Sequence, residues 1–171
     1  MRLDADFYRQ PALTLAPALL GKLLCRAVDG EVRKLRITET ECYCGECDTA
    51  CHAHKGKTER TKVIYREGGC AYIYLCYGIH NLLNVVSGEE DFPEAVLIRG
   101  VEGFYGPGRL TKTLAIDRTL NGEDLVTSKQ LWLEEDGTFP EYEAATRIGI
   151  EYATEEYREK LWRFTVKGVL K

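Results

Sequence analysis

The sequence lacks any uninterrupted run of about 18 apolar residues, so no stretch is long enough to cross a membrane as a helix. The opening MRLDADFYRQP carries acidic residues where an export signal needs an apolar segment, so secretion is not expected. There is no internal repeat, low-complexity tract or Pro/Gly/Ser linker, which excludes solenoids and strings of tethered modules. What remains is 171 residues of 44% hydrophobic composition, read as a single soluble domain over 1–171 with a cytoplasmic location, nucleoid-associated if bacterial. Seven cysteines is an odd number, and four of them fall between Cys42 and Cys51, so a disulfide framework is not expected. Free thiols and a metal site are the two readings of that cluster.

Net charge is −4, which on its face disfavours nucleic acid, but its distribution is uneven. Residues 1–122 balance 16 basic against 16 acidic side chains, whereas 123–159 hold 3 basic and 11 acidic ones. The acidity is therefore one C-terminal block, expected to face away from any polyanion. Between His52 and Arg66, Lys55, Lys57, Arg60, Lys62 and Arg66 are opposed only by Glu59. That run is either a phosphate-facing surface or a solvated loop.

Strand signals dominate the chain. Segments 22–28, 34–40, 70–76, 82–87, 95–101, 130–133 and 162–166 are rich in β-formers and mostly bounded by Gly, Pro, Asp or Asn. One short helix is predicted within 14–24, capped by Thr14 and stopped at Gly21, and another over 107–116 with Pro107 at its start. The fold class is thus α+β, a curved, mainly antiparallel, barrel-like sheet with a few flanking helices. YGIHN (77–81) joins two strands as a five-residue connection, giving a protruding hairpin with Tyr77 at its tip and Tyr72 and Tyr74 on one face.

The densest chemistry lies in ITETECYCGECDTACHAHKGKTERTK (37–62), where alternation sends Glu39 and Glu41 to one side of a strand, followed by Tyr43. Paired carboxylates there are either an acid–base pair or an exposed strand face. The ordered set I-T-E-T-E-C-Y-x-G-x-x-D-x-A-x-H, G-K-T-x-R-T, Y-I-Y-L-C-Y-G-I-H-x-x-x-N-V-V, A-V-L-I-R, G-P-G-R-L-T-K and R-I-G-I resembles the alkyladenine (3-methyladenine) DNA glycosylase family. That resemblance implies a metal-independent, monofunctional hydrolase of base-excision repair. Such an enzyme flips an alkylated or otherwise damaged purine from double-stranded DNA and hydrolyses its N-glycosidic bond, leaving an abasic site.

Carried over position by position, the resemblance makes Glu41 the base that activates water and Arg99 an aid in holding that water. It places Tyr43, His52 and Tyr74 around the flipped base, where stacked aromatics favour an electron-poor, often cationic purine. Asn84 falls on an asparagine that crowds the amino group of guanine, and Tyr77 on an intercalating tyrosine. Thr58, Arg60, Lys62, Arg109 and Lys112 become candidates for the DNA backbone. The backbone between Arg147 and Ile150 is implied near the water, and Glu39 is read as structural support. No cofactor, metal or membrane is implied, and monomeric action is expected.

Three departures stand out. Cys42, Cys44, Cys47 and Cys51 interrupt the first motif, and their spacing is not one of the standard paired C-x-x-C arrangements of zinc or iron–sulfur sites. They are read mainly as small hydrophobic thiols, with Cys25, Cys70 and Cys76 as buried strand residues. Only GVEGFY separates the A-V-L-I-R and G-P-G-R-L-T-K blocks, a shorter segment than the family's. The chain also ends at VKGVLK, where the family often continues with a longer tail. Two other functions stay open: a lesion-binding DNA protein without catalysis, and a cysteine-ligated metal module.

Overall fold

The computed structural model describes residues 1–169. Its first hairpin joins β1 (Leu23–Val28) to β2 (Glu31–Tyr43) through Asp29 and Gly30, whose φ values of 51° and 82° are those of a two-residue primed turn. β2 is the hub. Its charged first half pairs β1, and its second half, largely buried, pairs β5 (Glu94–Val101) and β9 (Arg163–Val166). Register shifts around Glu39 mark a bulge on this long strand, a device that bends a sheet and re-aims side chains.

β3 (Ala71–Cys76), β4 (His80–Ser87), β6 (Phe104–Tyr105), β7 (Leu131–Glu134) and β8 (Tyr142–Ala145) complete an antiparallel sheet. Its main path runs β3-β4-β5-β2-β1-β7, with β6 on β5 and the β8–β9 pair on β2. The α+β class and the mainly antiparallel sheet are as the sequence indicates, and among the described residues the sheet is not closed. β6 and β8 are additions to the predicted strands, and neither carries a clear alternation.

Among the described residues four short α-helices accompany the sheet: α1 (Ala5–Tyr8), α2 (Ala12–Ala18), α3 (Pro107–Thr113) and α4 (Glu155–Arg158). α2 begins at Ala12, not after a Thr14 cap. The Ala12 N–H donates to Glu94 Oε2 at 2.8 Å, so a carboxylate from β5 satisfies the helix start that a local side chain would otherwise cap. Its buried face, Ala12, Leu15 and Ala16, packs with Leu19, Ile37, Leu83 and Ile98 in the main core. Thr40 on β2 donates to the Ala16 carbonyl, tying helix to hub strand. α3 starts with Pro107 as its fixed φ favours, and Thr111 anchors it to the Asn81 carbonyl.

The β3–β4 connection is three residues, Tyr77 to Ile79, not five, because His80 and Asn81 continue the ladder opposite Cys76 and Leu75. Among the described residues no helix is long and apolar enough to cross a membrane.

Candidate active site

A groove of about 770 Å³ runs between the β3–β4 hairpin, the start of α3 and the stretch Ile148–Tyr152. Tyr43, His52, Arg60, Tyr74, Tyr77, Arg99 and Arg109 all line it. Beneath lies a void of about 30 Å³, bounded by Tyr43, His52, Tyr72, Tyr74, Asn84 and Tyr152. The groove has the volume of a small-molecule site, and the void has room for about one water.

The first wall is built by β2 running into a tight loop. Gly45, at φ 81°, turns the chain into two 3-10 turns, Gly45–Cys47 and His52–Lys55. The loop is clamped from within. Asp48 accepts the Cys44 and Ala50 N–H groups and takes a two-pronged bond from Arg147 at 2.6 and 3.0 Å, with both side chains fully buried. Arg147 also donates to the carbonyls of Cys42 and Tyr157, and its guanidinium lies 4.9 Å from the Tyr43 ring centroid. This clamp delivers His52 to the sheet, where its Nδ1 meets the Tyr72 hydroxyl at 3.0 Å and its ring meets Tyr74 edge-on at 4.5 Å. Burial, with help from the Arg60 cation, pulls the His52 pKa down to about 4, so the imidazole is neutral at pH 7.

Glu41 sits below the groove floor with no exposed surface. Its Oε1 accepts the Ile148 N–H at 2.8 Å, its Oε2 accepts the Tyr43 hydroxyl at 2.7 Å, and Arg99 lies 3.6 Å away. Burial pushes its carboxyl above the ordinary value, while Arg99, the Ile148 N–H and the Tyr43 hydroxyl oppose that push. Arg99 also faces Glu39 at 3.7 Å, and Glu39 in turn receives Arg163 at 3.0 Å. The groove residues Tyr43, Arg99 and Ile148 thus all touch Glu41, a buried carboxyl one layer beneath a basic and aromatic cleft.

Asn84, on β4, is buried beside the void and donates its amide to the Tyr72 carbonyl at 3.2 Å. Tyr77 stands at the hairpin tip, 87% exposed, with a left-handed φ of 51°. Thr58, Lys62 and Lys112 are not on the groove wall. Thr58 is engaged in a turn with Thr61, Lys62 pairs with Glu59 at 2.7 Å, and Lys112 lies on α3 one turn beyond Gly108 and Arg109, which do line the groove. Cys76, expected to be buried, is partly exposed and lines the groove. The acidic block does not wholly face away either, because Glu151 is on the groove wall.

Three contributors carry no sequence signal of their own. Tyr152 lines both cavities and donates to the Ala50 carbonyl, but it lies in the acidic block. Arg147 stands out in the sequence only for its backbone neighbourhood, and Asp48 only as a motif letter. Their pairing across 99 positions leaves no local trace. Among the described residues no group of three His, Cys, Asp or Glu is placed to hold a metal ion. Of the clustered cysteines, Cys42 and Cys51 are buried, Cys44 is partly exposed and Cys47 is exposed.

Known proteins resemble this chain over nearly its whole length. The family model described as "Methylpurine-DNA glycosylase (MPG)" matches residues 6–105 and 102–169. Its two stretches overlap at residues 102–105, the two-residue turn after β5 and the short strand β6. A protein of Natranaerobius thermophilus is 42% identical over 191 aligned positions, covering 98% of this chain and 96% of its own. One from Borreliella burgdorferi is 44% identical over 96% of both chains, and one from Methanocella arvoryzae 41% identical over 97% of this chain and 92% of its own. All three carry the name "Putative 3-methyladenine DNA glycosylase".

Proposed function

The chain belongs to the methylpurine-DNA glycosylase family, and from that premise we propose that it excises N-alkylated purines from duplex DNA, with Glu41 activating the water that replaces the base. The observation carrying this reading is Glu41 itself: a fully buried carboxylate held by Ile148, Tyr43 and Arg99 directly under an aromatic, cationic groove.

The flipped purine lies among Tyr43, His52 and Tyr74, whose rings offer π faces to a cationic base. Because His52 is neutral, its ring adds no positive charge against that base. Arrival of the nucleotide displaces the Tyr43 hydroxyl from Glu41 Oε2, and a water takes that side of the carboxylate. As the N-glycosidic bond breaks, its electron pair goes to the purine nitrogen and positive charge builds on the sugar, which the Glu41 carboxylate stabilises. Water oxygen bonds to C1′ and its proton passes to Glu41. A cationic purine departs as a neutral molecule, so no acid is needed on the base. Arg99 favours the ionised form of Glu41, Tyr77 fills the space left in the stack, and Arg60 and Arg109 meet phosphates.

The direct test is to incubate methylated duplex with the protein and identify released products by mass. Free 3-methyladenine or 7-methylguanine, with strands that break only on alkaline treatment, is the expected result. Intact purines throughout would refute the reading.

Ionisation of Glu41 sets a pH dependence. The carboxylate is the active form, so single-turnover release rises with pH through the Glu41 pKa. Removing the Arg99 cation removes an influence that holds this pKa down, so Arg99→Gln is expected to move the acidic limb to higher pH. A rate loss with an unmoved limb would show that Arg99 acts otherwise.

Tyr77 gives a second check. A non-glycine residue at φ 51° is strained by roughly 1–3 kcal/mol, so Tyr77→Gly relieves the backbone while deleting the wedge. Affinity for lesion duplex is expected to fall about tenfold, as for loss of one stacking contact, with the melting temperature unchanged or raised. Equal affinity of the two proteins would remove Tyr77 from the DNA interface.

A further inference from the structure

The four clustered cysteines are not absorbed by the function above, and two of them bracket a residue that is. β2 ends in Cys42-Tyr43, followed by Cys44, with the Cys42 and Cys44 sulfurs 3.1 Å apart. We propose that Cys42 and Cys44 are a reversible redox modification site, whose disulfide displaces Tyr43 and thereby disables the groove.

Cys42 belongs to the main core and Cys44 packs against that core, whereas Tyr43 packs with the clusters beside the groove, so these sulfurs meet away from the Tyr43 ring. Extended backbone separates Cα atoms two residues apart by about 6.6 Å, near the upper end of the roughly 4.4–6.8 Å that a disulfide bridges. Closing from 3.1 Å to a bond of about 2.05 Å therefore shortens the chain between them. Both flanks are held: the Cys42 N–H donates to the Trp162 carbonyl, the Cys42 carbonyl accepts Arg147, and the Cys44 N–H donates to Asp48. Tyr43, the last paired residue of β2 opposite Ala95, lies between them and takes up the shortening. The place of its ring on the groove wall, beside Arg147, depends on where it stands.

The chemistry balances with a hydroperoxide as oxidant. Cys44, the more exposed of the two, loses its proton as its sulfur attacks the peroxide; the S–O bond forms, the O–O bond breaks, one oxygen stays as the sulfenic acid, and the other leaves as hydroxide that takes that proton to become water. Cys42 sulfur then attacks the sulfenic sulfur, the S–S bond forms, the S–O bond breaks, and the Cys42 proton leaves with hydroxide as a second water. Two thiols lose two electrons in total to one peroxide. Contact with Cys44 and burial hold the Cys42 thiol above its ordinary value, so Cys42 gives up its proton only as the S–S bond forms, and the step depends on the preformed contact. A dithiol reductant reverses the bond.

The loss of activity rests on the functional reading above, so the test has two independent arms. The reduced full chain is exposed to hydrogen peroxide, its remaining thiols are blocked with N-ethylmaleimide, and it is digested with trypsin. Cleavage after Arg36 and Lys55 places Cys42, Cys44, Cys47 and Cys51 on one peptide. That peptide is expected to lose two labels, with fragmentation assigning the bridge to Cys42 and Cys44. Lesion-duplex binding and base release are expected to fall, release by roughly a hundredfold as for a misplaced site, and to return with dithiothreitol. Cys44→Ser should prevent both changes, and Cys47→Ser neither. Four labels after peroxide, a bridge through Cys47 or Cys51, or a Cys42–Cys44 bridge without effect on binding would overturn the proposal. Absence of base release from the reduced protein would instead fail the functional reading, with the label count and binding still deciding the redox site.

Discussion

Replacing Glu41 by glutamine is expected to slow single-turnover base release by about 10²–10⁴-fold, the range associated with a positioned general base. The substitution conserves shape, and the amide oxygen can still accept the Ile148 N–H that Oε1 now takes at 2.8 Å. Arg99 keeps Glu39 as a partner at 3.7 Å, so no buried cation is stranded. Removing a carboxylate whose burial already opposes its charge leaves stability nearly unchanged. Binding to lesion duplex should persist, because Tyr43, His52, Tyr74 and Tyr77 are untouched. If Glu41→Gln releases base at the wild-type rate, Glu41 has no part in the chemistry, whatever its position in the fold.

The largest effect on stability is expected at Asp48. Its fully buried ion pair with Arg147 fixes the loop that carries His52 and backs Tyr43. Asp48→Ala strands a buried guanidinium and frees the Cys44 and Ala50 N–H groups, a loss of about 3–5 kcal/mol. For a chain of this size that lowers the melting temperature by roughly 10 °C. The double variant Asp48→Ala/Arg147→Met removes the stranded charge and should recover much of the loss. Thermal unfolding of the three proteins measures this; a single variant within about 1 kcal/mol of wild type would show the clamp to be dispensable.

The elements legible in the sequence are those whose signals are local. β1, β3, β5, β7 and β9 fall within a residue or two of the predicted segments, and α3 starts at Pro107 as its missing N–H favours. Tyr72 and Tyr74 share a face because alternation requires it, and their ring centroids are 5.6 Å apart. Where distant partners decide, sequence reasoning falls short. β2 runs further back than predicted because Asp29 and Gly30 close a hairpin that its charged residues obscure. α2 starts early because Glu94, 82 positions away, caps it. The hairpin connection is short because His80 and Asn81, polar residues with the composition of a loop, complete the β4 ladder.

The site divides the same way. Ordered motifs mark the aromatic and acidic residues that line or underlie one groove, since each lies in a recognisable local block. They do not reveal that Glu41 lies a layer below the groove, or that Asp48 and Arg147 support both Tyr43 and the His52 loop. Nor do they bring Tyr152 to the cavity wall, because its place follows from the path of the last strands.

The most direct test of Glu41-driven excision is a paired single-turnover measurement with excess protein and EDTA. Duplexes carry 3-methyladenine, 7-methylguanine, hypoxanthine or 1,N6-ethenoadenine, and wild type is compared with Glu41→Gln for both base release and binding. Release of at least one damaged purine by the wild type despite the chelator, and binding without release by the variant, is the expected result. Equal release by both proteins, or release by neither while both bind, would contradict it.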